Sequence, residues 1–354
     1  MQGVDLYQTA IHAIFKRMDE IAAQCGDRFP LFRPDVATQW KLSRRGSWLG
    51  GFWAGLWWRR AAYTRSADDH AVARTWSAQL QPLLSEPSIN RSFVFWYGAA
   101  IGHQVSAKDQ AAQQLAGHAA LAISASFDPV LGCWTSGPGM GAGEPGTRTL
   151  NVDALAPTLA LLHSYGGPKG RVQAHQHLQT CLRYLATEHG AWRENVVPDI
   201  DDDMRQEEAG TWPRGQAWAM LGMAEAVRLY GDVYRQSALQ ACAYWTEHWG
   251  SSHESAEPTK PPIPQQDLSA RVISALAMLK LSQCAPDQHW LCQQAHTQIS
   301  SVLDASNVAE AGQFVGHLYR VGPDDEQLVE SACATFFLLE NLLSPQSSVL
   351  IASE

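Results

Sequence analysis

The sequence predicts an all-α protein, an (α/α)6 barrel of six helical hairpins closed into a double ring, and three observations carry that expectation. Six stretches repeat one plan, an amphipathic helix followed by an apolar run of helical length with an aromatic residue near its N-terminal end. The apolar runs start near Trp48, Phe93, Val152, Arg214, Leu268 and Leu328, a period of roughly 40–65 residues. A helical pair cannot bury its apolar face alone, so pairs must stack or close on themselves. The β-branched alternation that strands need is scarce.

Amphipathic outer helices are predicted at about 5–24, 69–84, 107–126, 169–188, 233–249 and 286–304, each with apolar residues at three-to-four spacing. Their inner partners are predicted at about 52–65, 93–104, 152–165, 214–230, 267–282 and 328–343. The inner helices are richer in Ala, Gly and Trp, and small residues such as Gly51, Gly55, Ala61, Ala217 and Gly222 let helices approach closely. Gly166-Gly167-Pro168 and Gly231-Asp232 lie just beyond inner helices, where glycine adopts the left-handed cap. Two long loops, Gly132 to Asn151 and Asn195 to Thr211, precede inner helices and are expected to roof the mouth of the ring. The Pro-rich stretch Glu257 to Pro264 falls inside the repeat and reads as a loop, so residues 1–354 are expected to form one domain.

The formal charge of −9 and the absence of a Lys/Arg run argue against a nucleic-acid partner. The seven cysteines, Cys25, Cys133, Cys181, Cys242, Cys284, Cys292 and Cys333, are odd in number and scattered, unlike a disulfide framework. Met1 to Cys25 is amphipathic rather than continuously apolar, and no stretch has membrane-spanning length. A soluble, reducing, cytoplasmic setting without a membrane partner is expected. Asp199, Asp201, Asp202 and Asp203 lack the spacing and terminal Glu of a calcium loop and read as solvated acids. No metal or cofactor is expected, and the oligomeric state is open.

The densest polar-aromatic cluster is Thr211-Trp212-Pro213-Arg214-Gly215-Gln216-Ala217-Trp218, at the start of an inner helix. Free N–H groups at a helix N-terminus, a guanidinium and two indoles suit an anion on a flat ring, which describes an acidic sugar. The competing interpretation puts Trp212 and Trp218 in the core and pairs Arg214 with a nearby acid. Asp153 opens an otherwise apolar helix, Val152 to Leu162. It is either a helix acid favoured by the dipole or a general acid/base, its pKa raised by burial and lowered by Arg214.

These residues resemble the unsaturated glucuronyl hydrolases, glycoside hydrolase family eighty-eight. Trp212-x-Arg214-Gly215-Gln216-Ala217-Trp218 matches that family's most distinctive motif, with Pro213 where Ser is usual. Ser47-Trp48 to Phe52-Trp53, Val152-Asp153, Asp267-x-Ser269-Ala270 and Phe336-Phe337-Leu338-Leu339-Glu340 follow the same order across almost the whole chain. The resemblance implies a barrel of six helical hairpins. It also implies hydration of the C4=C5 double bond that polysaccharide lyases leave in a terminal uronic acid, unlike the two-carboxylate displacement at an anomeric carbon.

By that resemblance Asp153 is the acid/base, Trp48, Trp212 and Trp218 are ring contacts, and Arg214 and Gln216 bind substrate. Where the family has His-Asp, this chain reads Arg91-Ser92, so the position of the second essential carboxylate holds Ser92. Arg91 adds a cation for a carboxylate or sulfate, and a sugar-contacting His corresponds to Asn195. Either the substrate differs, or the usual hydration is lost. The alternatives are related sugar chemistry, such as epimerisation or hydrolysis of an intact glycoside, and a non-catalytic acidic-sugar-binding protein. Epimerisation calls for paired histidines facing the pocket, whereas His175 and His177 read as surface residues of an outer helix.

Overall fold

In the computed structural model the chain is described for residues 2–34, 39–198, 208–250, 267–306, 308–322 and 325–344. The acidic cluster Asp199 to Asp203 and the Pro-rich stretch Glu257 to Pro264 lie outside these residues.

Among the described residues the helices alternate between two layers. The outer layer holds α1 (Gln2–Cys25), α3 (Ala67–Gln79), α6 (Gln110–Ala125), α8 (Gly167–Leu185), α10 (Arg235–His248) and α12 (His289–Asp304). The inner layer holds α2 (Gly50–Thr64), the run from α4 (Arg91–Phe95) to α5 (Ile101–Val105), α7 (Leu155–Tyr165), α9 (Pro213–Tyr230), α11 (Leu268–Cys284) and α14 (Ala332–Leu342). A single turn, α13 (Val308–Ala311), packs on α1. Each inner element packs against the next, and α14 returns to α2, closing an (α/α)6 barrel. Amphipathic outer helices face water on one side. The inner helices are buried nearly all round, as expected of elements covered on every face.

Small residues allow that closeness. A Cβ on Gly51 would lie 2.5 Å from the Val94 Cα, and one on Gly222 would lie 2.6 Å from the Leu155 side chain. Between α4 and α5 a π-helical turn at Trp96–Ala100 interrupts the helix, where the Ser77 hydroxyl donates to the Gly98 carbonyl.

The helical expectation misses a sheet at the seam of the ring. Strands β1 (Phe29–Pro34), β2 (Lys41–Ser43), β5 (Val315–Gly322) and β6 (Asp325–Ser331) form an antiparallel sheet in the order β2-β1-β6-β5. Residues 328–331, expected as the start of the last inner helix, belong to β6, and the helix begins at Ala332. The register Phe32↔Ser331 ties the first hairpin to the last. Glu330, 1% exposed, clamps this seam by accepting two 2.9 Å bonds from Arg17 and pairing with Arg33 at 2.9 Å. A second pair, β3 (Leu150–Asn151) with β4 (Asn195–Val196), joins the two long loops.

Candidate active site

Alternation of outer and inner helices brings the N-terminal ends of the inner ring to one mouth. Their partial positive charge favours an anionic ligand there. Side chains from these ends meet in an aromatic layer. Phe93 lies 5.8 Å from Trp48 and 5.1 Å from Trp218, and Trp218 meets Phe337 at 5.2 Å. Trp48 is half-buried in the turn before α2, following Ser47 at φ 52°, a conformation that costs a non-glycine residue about 1 kcal/mol or more. It stacks on Tyr319 of β5 at 6.4 Å.

Arg214 stands in the first turn of α9. Its Nη1 pairs with Asp267 and donates to the Leu318 carbonyl at 3.0 Å and the Ser269 hydroxyl at 3.4 Å. The guanidinium lies over Trp212 at 4.8 Å. A Cβ on Gly215 would come within 2.6 Å of the Trp212 ring, so glycine lets that indole fold back. The expected pairing of Arg214 with an acid is present, and Trp218 is 2% exposed and core-like. Nε and Nη2 of Arg214 make no hydrogen bond among the described residues, so the cation keeps donors for a ligand.

Asp153 sits in the turn before α7 rather than in the helix, and α7 has no side-chain cap. Asp153 therefore makes no capping bond, although it directly precedes the N-cap Ala154. Its backbone N–H donates to Asn151 Oδ1 at 2.8 Å, and Asn151 Nδ2 donates to Asn195 Oδ1 at 2.9 Å. The residue is partly exposed, yet Oδ1 is covered and meets no donor. Burial pushes the carboxyl up to about 8, helped by the charge of Glu194 and opposed by Arg214. A carboxyl in that range is predominantly protonated at neutral pH.

Three expected site residues are turned elsewhere or neutral. Ser92 is fully buried and accepts a 2.8 Å bond from Thr158 of α7, so that position holds two neutral hydroxyls. Arg91 turns toward the outer ring, donating to the carbonyls of Ser88 at 2.9 Å and Leu84 at 2.8 Å and to the Ser126 hydroxyl at 3.0 Å. Gln216, 0% exposed, binds the backbone of Trp192, Gly190 and Ala241 at 2.9, 2.9 and 3.1 Å. Both long polar side chains are thus spent on holding loops and outer helices. His177 is also not at the surface: it is fully buried beside Trp134 and Cys181, while His175 bonds Tyr234 at 2.6 Å.

The structure adds residues that the sequence reading did not single out. Tyr319 and His317 come from β5, and Glu194 reaches Asp153 because the Val152 N–H donates to the Glu194 carbonyl at 3.1 Å. The alternation across Val315 to Tyr319 was the available signal for the first two. Nothing local announces the third.

No protein-family model matches the chain. A curated relative, the unsaturated glucuronyl hydrolase of Bacillus sp. (strain GL1), is 24% identical over 357 residues, covering 92% of each chain. The solved structure of the unsaturated glucuronyl hydrolase from Bacillus sp. GL1, described as responsible for glycosaminoglycan degradation, superposes with a TM-score of 0.81 at 22% identity, covering 95% of this chain and 96% of that one. A substituted UGL with dGlcA-Glc-Rha-Glc gives 0.82 at 23% identity with the same coverage. An unsaturated glucuronyl hydrolase specific for heparin gives 0.79 at 16% identity, covering 99% and 98%.

Proposed function

We propose that this chain, a divergent relative of the unsaturated glucuronyl hydrolases, is a glycoside hydrolase-like enzyme that hydrates the C4=C5 double bond of an unsaturated uronic acid ending an acidic oligosaccharide. The observation that carries this reading is one carboxyl, Asp153, in the turn before α7 with Oδ1 covered and meeting no donor, close enough to Arg214 for the two groups to interact electrostatically.

Protonated Asp153 delivers its proton to C4, and positive charge develops at C5, shared with the ring oxygen. The resulting carboxylate then takes a proton from water as the water oxygen bonds to C5. Asp153 ends the step protonated, and the hemiketal opens to release the neighbouring sugar. Arg214 faces the uronate carboxylate with the donors that Asp267 leaves free. Trp48 and Trp212 line the ring plane, and Asn195 borders Asp153 through Asn151. Among the described residues no helix is long and apolar enough to cross a membrane. The seven free cysteines support a reducing, cytoplasmic setting.

The test is the ultraviolet absorbance of the alkene across a panel of lyase-generated disaccharides. Absorbance should decay with the purified protein and persist with Asp153→Asn. Decay at an unchanged rate in that variant removes Asp153 from the mechanism. A second reading, an acidic-sugar-binding protein without turnover, is favoured by the neutral Ser92–Thr158 pair. Calorimetric binding without product over long incubation would select it.

A further inference from the structure

One polar group beside Arg214 has no part in that chemistry. His317, on β5, is 1% exposed. Its Nδ1 lies 2.7 Å from Ser331 Oγ, while Nε2 is buried without a hydrogen-bond partner among the described residues. The ring stands edge-on to Tyr319 at 5.2 Å and to Trp48 at 6.4 Å. The next residue, Leu318, gives its carbonyl to Arg214. The imidazole therefore belongs to the same layer as the free guanidinium donors and the aromatic wall.

Hydrogen-bond bookkeeping assigns its tautomer. Ser331 caps α14, its Oγ accepting the Ala334 N–H at 3.2 Å. The serine's own hydrogen then needs an acceptor, and His317 Nδ1 is within reach. A neutral imidazole that accepts at Nδ1 carries its hydrogen on Nε2. Burial, with a smaller contribution from Arg214, keeps the ring neutral by holding its pKa well below the usual value. A buried N–H without an acceptor is destabilising, and a protein that retains one invites the question of what pairs with it.

We propose that His317 is a specificity-determining residue, a neutral Nε2–H donor oriented by Ser331 that binds an oxygen of the uronate carboxylate facing Arg214. The inference rests on the hydrolase-like reading above and supplies its second carboxylate contact. Tyr319, half-buried, stands edge-on to the imidazole, so the proposed contact requires its ring to turn aside and give up its stack on Trp48 as the sugar enters.

The experiment is calorimetric binding of an unsaturated glucuronyl disaccharide and of its methyl ester to the unaltered protein, His317→Leu and His317→Gln. The ester keeps the ring and the alkene but lacks the charge. His317→Leu should bind the free acid roughly 10- to 100-fold more weakly, with a distinctly smaller loss for the ester. His317→Gln, which can offer an amide N–H, should recover part of the acid's affinity. Thermal unfolding should change little in His317→Leu, because loss of the unpaired Nε2 donor offsets loss of the acceptor for the Ser331 hydroxyl. Unchanged affinity for the acid in His317→Leu overturns the proposal. So do equal losses for acid and ester with a lowered melting temperature, which make His317 a packing residue. If the unaltered protein neither binds nor consumes either ligand, the proposed function itself fails. Binding by the unaltered protein without acid-selective loss in the variants sinks only the role of His317.

Discussion

Asp153→Asn replaces a carboxyl by a neutral amide of similar shape, and the environment of that position dictates the effect on stability as well as on turnover. The folded pKa stands at about 8 against the ordinary 3.8. Between those values the folded chain holds a proton that the unfolded chain has released, so stability falls as pH rises from about 4 through 8. Each pH unit in that window costs ~1.4 kcal/mol, or about 3 kcal/mol between about pH 5 and pH 7. Because the residue is partly exposed, solvent screening brings the expected cost down to about 1–2 kcal/mol. The asparagine variant has no such proton to lose. Its melting temperature, read by scanning calorimetry, should gain on that of the unaltered protein by roughly 1–3 °C between about pH 5 and pH 7. Loss of the general acid should lower turnover by about 10²-fold or more. In the unaltered protein kcat/KM should decline as pH rises through about 8, where the acid loses its proton. A melting difference that stays flat with pH would mean that the native carboxyl is ionised, and the proton-donor role would fall with it.

Gln216→Ala removes three buried hydrogen bonds to the backbone and should cost about 2–4 kcal/mol in denaturant unfolding with KM little changed. A selective rise in KM with stability intact would restore it to the substrate contacts. Gly215→Ala drives a Cβ into the Trp212 ring at 2.6 Å and should displace the indole from Arg214, raising KM several-fold while kcat falls less, as steady-state kinetics would show. Ser92→Asp places a carboxylate against Thr158 of α7, and like-charge repulsion should move the alkaline limb of the pH–rate profile to higher pH. An unmoved limb would show that position 92 does not sense Asp153.

Much of the architecture was legible because amphipathic periodicity is local. The inner helix predicted at 214–230 runs from Pro213 to Tyr230, since its start is marked by proline and its end by glycine. The seam sheet has no such local signature. Its strands persist because Arg33 and Phe32 of the first hairpin meet Glu330 and Ser331 of the last, a pairing across nearly the whole chain. The candidate site shows the same division. Residue type announced the chemistry of Arg214 and Asp153, but the partner of Arg214 lies at Asp267, and the charge acting on Asp153 arrives through the β3–β4 pairing. Arg91 and Gln216 have the right chemistry for a sugar, yet adjacent positions on a helix face different directions, and both point to the outer ring.

That division also bears on what a neutral Ser92 means for the proposed reaction. If repulsion from a partner carboxylate were the main reason for a protonated Asp153, Ser92 would leave an ionised and inert site. Burial is the larger cause here, and the like charge that remains comes from Glu194. The proton donor proposed at Asp153 therefore does not depend on a carboxylate on α4. Under the proposed mechanism Asp153 alone takes the proton from water and the neutral Ser92–Thr158 pair only helps to orient that water, so the weakened half of the reaction would be its addition. An enzyme altered in that way should release the donor's proton to the alkene faster than it completes hydration. In deuterium oxide it should exchange hydrogen at C4 of unconverted substrate, detectable by mass spectrometry, in excess of product formed. Product formation with no such exchange would place the slow step at proton transfer instead, and would return the Ser92 substitution to the acid half of the mechanism.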